Sequence, residues 1–211
     1  DDPIDKQYAN ANLFISEDLE ELVTKVAKLP LRFQPGTRYH YSIADDLIGL
    51  IIERLSGLPL DEYFNENIFN PLGMKDTFFQ VPKGKRDRFL TRYRYDIKKK
   101  SPVEYPAIPR QAYSDFINVP MLSGGGGLVS TAMDYMIFAE SLRNGGIYNG
   151  KRILSPKTIK FMTKNHLESV INPFQGGDMN FVEKRNSIGF GRGIGFGLVT
   201  DTTKKGIVGS N

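Results

Sequence analysis

The search for reacting groups begins with hydroxyls, because the 211-residue sequence has no cysteine and therefore no thiolate. No serine in it carries lysine three positions on, one helical turn away; Ser42 is followed there by Asp45, Ser56 by Pro59 and Ser123 by Gly126. Thr202-Thr203-Lys204-Lys205 has the spacing with threonine, but it follows a strand-like run and reads as a solvated turn. Ser123 stands before four glycines without being a hydrolase elbow, since Gly-x-Ser-x-Gly would need glycine at Met121. His40 and His166 are the only histidines, too few and too far apart for a triad or a metal cluster, and no metal or other cofactor is expected. Of the ten tyrosines, Tyr41 stands just ahead of an expected helix start. A free phenol has a pKa near 10 and is a poor base at neutral pH, so it needs a neighbouring cation or a helix N-terminus. Ser42 as the N-cap of the helix that follows would put Tyr41 at such a terminus, whereas the plain alternative is a half-buried aromatic.

The elements that must position these groups are mostly helical. Ser16 is placed to cap a helix with Leu19, Leu22, Val23 and Val26 on one face, stopped by Pro30. The Pro35-Gly36 pair makes a turn ahead of Tyr41, and a second helix with Ile43, Leu47, Leu50, Ile51 and Leu55 ends at Gly57. A third is expected over Leu60 to Phe69. Residues 83–100 alternate basic and aromatic side chains, including Arg92-Tyr93-Arg94-Tyr95, as in a strand or hairpin. Thr131 with Asp134 resembles a capping box opening a helix, and Ser155-Pro156 opens another through Met162. Glycine at 189, 191, 193, 195 and 197 would lie on one face of a strand, closely packed, and the run fails the Gly-x-Gly-x-x-Gly fingerprint.

A hydrophobic fraction of 40% supports a folded core. The net charge of +4 comes from 28 basic and 24 acidic residues spread along the chain, a weak argument for a polyanionic partner. Residues 83–100 concentrate nine basic side chains against Asp87 and Asp96, with Tyr93 and Tyr95 interleaved, so a nucleic-acid module is the competing function. A charged hairpin is more often simply solvated, and no nucleic-acid partner is expected. No apolar run reaches the roughly 20 residues that span a bilayer. The start at Asp1-Asp2-Pro3 without methionine and the end soon after a strand-like run read as cut ends; compartment and oligomeric state stay open.

Pro35-Gly36-Thr37-Arg38-Tyr39-His40-Tyr41-Ser42, then Asp46-Leu47-Ile48-Gly49 and Leu55-Ser56-Gly57-Leu58-Pro59-Leu60, resemble the tyrosine motif of the β-lactamase-like serine hydrolases: class C β-lactamases, D-alanyl-D-alanine peptidases and family VIII esterases. Further blocks follow in that family's order, at Ile68 to Thr77, Ser123 to Thr131 and Gly150 to Pro156. The resemblance implies an α+β fold: residues 1–130 as the mostly helical domain with an excursion at about 83–100, and residues 131–211 as helices and a strand returning to an antiparallel α/β domain. It implies acyl transfer through a Ser-x-x-Lys serine, assisted by a tyrosine and a third motif of Lys-Thr-Gly type, on a small ester or amide substrate. Only the tyrosine maps, onto Tyr41, so this chain by itself is expected to be inactive. Tyr8-Ala9-Asn10 matches the class C motif letter for letter but lacks the Pro-Gly turn and the long apolar helix, and reads as surface packing. Ile43 stands where class C enzymes carry asparagine, which implies an ester rather than a β-lactam substrate unless Ile43 merely packs the helix start. A family member without catalysis, serving as a scaffold, is the further alternative.

Overall fold

A computed structural model describes residues 2–36, 40–166 and 190–200. The chain divides into two compact units, residues 1–30 with 43–138 and residues 31–42 with 139–211.

The first unit opens with α1, Pro3–Asn10, which the sequence reading did not anticipate; Asp2 caps it by accepting from the Ile4 amide at 2.7 Å, and Pro3 needs no amide partner there. Tyr8 lies on this helix and donates its hydroxyl to the Pro30 carbonyl at 3.2 Å. In α2, Leu19–Val26, the cap is Asp18 and not Ser16: the Asp18 carboxylate accepts from the Glu21 amide at 2.7 Å. Ser16 is buried and donates to the Leu13 carbonyl, while Lys25 donates to its Oγ. Helix α3, Ala44–Ser56, ends on Gly57 in the left-handed conformation, φ +73°. Leu19 and Leu22 of α2, Leu50 of α3 and Leu60 meet Phe79, Ala112 and Met121 in the core.

The third expected helix breaks into α4, Leu60–Phe64, a π turn, Asn65–Phe69, and α5, Asn70–Leu72. Pro71 explains the break. Its ring would clash with the carbonyl four residues back, so the turn widens and the Asn70 amide reaches the Asn65 carbonyl instead. A 3₁₀ turn follows over Lys83–Arg88. Strands β1, Tyr93–Asp96, and β2, Ser101–Glu104, pair antiparallel with Tyr93 opposite Glu104. The alternation read from residues 83–100 is therefore a strand only over Tyr93–Asp96, with a turn at 97–100. Arg92 and Arg94 hold their guanidinium groups 5.4 and 5.2 Å from the Tyr105 ring centre.

Helix α6 covers Ala132–Arg143. Thr131 accepts from the Asp134 amide at 3.2 Å, the forward half of the expected capping box. Asp134 does not reach back; its buried carboxylate accepts from the Asp76 amide at 2.7 Å and the Thr77 hydroxyl at 2.9 Å. Beside this latch Phe78 and Val129 exchange backbone hydrogen bonds.

In the second unit, strands β3, Ile147–Tyr148, and β4, Lys151–Arg152, form a hairpin. Helix α7, Pro156–Met162, is capped by Ser155, which accepts from the Thr158 amide. The glycine-alternating run corrects the expectation of one strand: within the described residues it is a hairpin of β5, Phe190–Arg192, and β6, Gly197–Val199, turning through Gly195 at φ +75°. The close approach expected of it is present, since a β-carbon on Gly193 would lie 2.2 Å from the Met162 carbonyl oxygen. Gly189 and the threonine–lysine run at 202–205 lie outside the described residues. These helices and short antiparallel strands make an α+β architecture. No helix among the described residues is long and apolar enough to cross a membrane.

Candidate active site

The turn before the tyrosine motif uses Gly36 at φ +79°, a conformation that costs side-chain-bearing residues energy. His40 packs edge-on against Phe33, with ring centres 5.7 Å apart. Tyr41 is 77% exposed, so its ring is not the half-buried aromatic of the alternative reading. Ser42, also exposed, does not cap α3. Ile43 holds the N-cap position and makes no side-chain hydrogen bond; its carbonyl accepts from the Asp46 and Leu47 amides at 3.0 and 3.3 Å, and its side chain packs against the core. In place of a capping hydroxyl, the first turn carries Asp45 and Asp46, whose charge complements the positive end of the helix.

Asp46 organises a network that the sequence reading did not find. It is fully buried on the core side of α3. Its Oδ1 accepts from the Ser123 hydroxyl in a short hydrogen bond and from the Gly125 amide at 3.3 Å, while Oδ2 accepts from the Tyr113 hydroxyl at 2.7 Å. The glycines after Ser123 let this loop press onto α3: a β-carbon on Gly124 would sit 2.3 Å from the Asp45 carbonyl oxygen, and one on Gly126 would sit 2.7 Å from the Tyr113 ring. Tyr113 itself is held at φ +66°, a costly conformation for a non-glycine residue, and its ring lies 4.6 Å from that of Phe14. Ser123 is 1% exposed and its hydroxyl is committed to Asp46, which suits a structural donor and not a nucleophile. One signal for Asp46 was present in the sequence. It lies three residues after Ile43 and four before Leu50, a carboxylate on the apolar stripe. Nothing comparable marks Tyr113.

Among the described residues, no three His, Asp or Glu side chains are grouped so as to hold a metal ion. The exposed Tyr41 hydroxyl can take part in proton transfer, but the described residues supply no activated serine for it to assist.

Residues 1–204 match the family described as Beta-lactamase. The chain belongs to the beta-lactamase family. This family is one of serine hydrolases, and its relatives fit that placement. An uncharacterized protein of Mycobacterium tuberculosis is 32% identical over 204 residues, covering 96% of this chain and 47% of the relative. A protein of Escherichia coli O157:H7 named "Putative D-alanyl-D-alanine carboxypeptidase" is 30% identical over 179 residues, covering 79% of this chain and 41% of the relative. The chain thus spans less than half the length of these relatives. Among solved structures, EstCE1, described as a hydrolase with promiscuous acyltransferase activity, aligns with a TM-score of 0.71 at 27% identity, over 90% of this chain and 48% of that one. A penicillin-binding protein homologue from Pyrococcus abyssi shares the fold, with a TM-score of 0.60 at 22% identity over 89% of this chain and 39% of that one. The α+β beta-lactamase-like fold expected from the motif blocks is therefore the fold observed.

Proposed function

We propose that the full-length protein is an acyl-enzyme-forming serine hydrolase that prefers esters to β-lactams, with Tyr41 moving the proton. The observation that carries this reading is the Tyr41 hydroxyl, solvent-facing two residues ahead of the cap of α3. In the reaction a serine oxygen, from a part of the protein outside this sequence, attacks the acyl carbonyl. Tyr41 exchanges the proton that leaves the serine and that the departing alcohol must receive, and water then releases the acid. Ser42 and Ile43 adjoin the substrate, Ile43 with its half-buried side chain packed against the core. Ile43 offers neither donor nor acceptor to an amide side chain of a β-lactam, whereas an ester acyl group asks for none. The likeness to EstCE1, a hydrolase with promiscuous acyltransferase activity, supports acyl transfer. The name of the Escherichia coli relative favours a second reading, a D-alanyl-D-alanine peptidase.

The test is kcat/KM of the full-length protein for p-nitrophenyl butyrate and for a chromogenic cephalosporin, repeated with Tyr41→Phe. The ester should be preferred, and the variant should lose about 10²-fold in kcat with its melting temperature unchanged. A preference for the cephalosporin sinks the ester assignment, and an unchanged kcat reduces Tyr41 to a surface aromatic.

A further inference from the structure

The first unit contains a cavity of about 550 Å³ that the mechanism above does not use. Its volume lies within the roughly 300–1,000 Å³ of small-molecule sites. Phe78, Phe89, Phe116 and Leu128 are among its apolar lining, with Phe89 and Phe116 packed edge to face at 6.1 Å between ring centres. Leu90 stands 83% exposed at the lip, an apolar side chain with no cover in the unit it belongs to.

Charge on the rim is one-sided. Lys85, Arg88 and Arg92 line the cavity against the single carboxylate of Asp76. Lys85 and Arg88 both donate to Asp76, at 2.7 and 3.1 Å. Among the described residues Arg92 donates to uncharged acceptors, the Tyr113 carbonyl at 3.3 Å and the Ser114 hydroxyl at 3.2 Å, which fix its guanidinium without neutralising it. Positive charge therefore remains at the mouth of an apolar chamber. An apolar ligand alone would leave that charge unanswered, and a small inorganic anion would leave the aromatic wall facing water.

From this geometry we infer that the cavity binds an amphiphilic carboxylate, its chain of medium length lying among Phe78, Phe89, Phe116 and Leu128 and its carboxylate at Arg88 and Arg92. Such acids are the class of product that ester hydrolysis releases, but the inference does not depend on the role given to Tyr41, and its test reads binding rather than turnover.

Calorimetric titration of the full-length protein with octanoate, 1-octanol and octyltrimethylammonium separates the contributions of charge and chain. Octanoate should bind saturably at one site, with octanol about tenfold weaker and the cation not bound. Arg88→Gln, on an exposed side chain, should weaken octanoate by about tenfold while leaving ester turnover and the melting temperature as they were. Leu128→Asp should abolish binding by placing a carboxylate in the chamber. Equal binding of octanol and octanoate, no saturable binding to the full-length protein, or undiminished affinity in Arg88→Gln each overturns the proposal.

Discussion

Asp46 and Tyr41 sit five residues apart and are built oppositely, one fully buried with three donors, the other 77% exposed. Removing the buried carboxylate takes the acceptor from the Ser123 and Tyr113 hydroxyls together and leaves the Gly125 amide with the Ser123 Oγ alone, at 3.3 Å. Asp46→Ala should therefore cost about 3 kcal/mol in urea unfolding of the full-length protein, against about 1 kcal/mol for Tyr113→Phe, which removes one donor and leaves the carboxylate two. Equal costs would mean that the network does not act through Asp46. Tyr41 was singled out by the recognisable block around it, and Asp46 carried an unread mark, an acid on an apolar stripe. Its partners were not legible: Tyr113 and Ser123 lie 67 and 77 positions away, and no local pattern encodes a pairing across such a separation.

At the scale of elements, helix interiors were more readable than helix starts, of which Thr131 and Ser155 cap as expected while Ser16 and Ser42 do not. The apolar spacing of α2 and α3 placed both helices, since periodicity sums over many residues. A cap depends on the dihedral angles of one residue, and several hydroxyls and carboxylates near a start compete for it. Asp18 took the place expected of Ser16, and Ile43 that of Ser42. Asp18→Ala should accordingly cost about 1 kcal/mol, while Ser42→Ala should fall within about 0.5 kcal/mol of the parent by thermal melting. A destabilised Ser42→Ala would restore the hydroxyl cap. The glycine run misled for a different reason. Period-two spacing is the same in one long strand and in two short arms of a hairpin, and only the positive φ at Gly195 separates them.

Across the whole molecule the carboxylates decide the response to acid. The Lys85 hydrogen bond, aided by Arg88 and opposed by burial, holds Asp76 below its ordinary 3.8. Arg143 and then Asn144 pull Glu140 from 4.5 to about 2. Burial pushes Asp115 up, but backbone amides of Asn118, Arg110 and Ile117 outweigh it and leave this group lowered too. Glu53 runs the other way, raised by burial. A lowered carboxylate stabilises the folded chain at neutral pH and ceases to do so as pH falls through its folded value, because the unfolded state takes the proton first. Asp76→Asn should thus be destabilising at pH 6, and its difference from the parent should shrink below pH 3.8, measured as the urea midpoint. A difference that grows in acid would contradict the ion pair. The chain spans 47% of its Mycobacterium tuberculosis relative, so the motif blocks could show a family and a fold without showing a nucleophile among the described residues.

The tether between Asp46 and the loop at Ser123 also bears on the order in which the first unit forms. Helix α3 can coil on its own local contacts, but its inward carboxylate keeps its water until a segment of 77 residues has closed on itself. Ring closure over that length is slow compared with helix growth, and burying the charge earlier would leave it without donors. Completion of the Asp46 network is therefore expected late in folding, so Asp46→Asn should speed unfolding more than it slows refolding in stopped-flow measurements. Its bonds then set how long the folded unit lasts before opening more than how quickly it is reached.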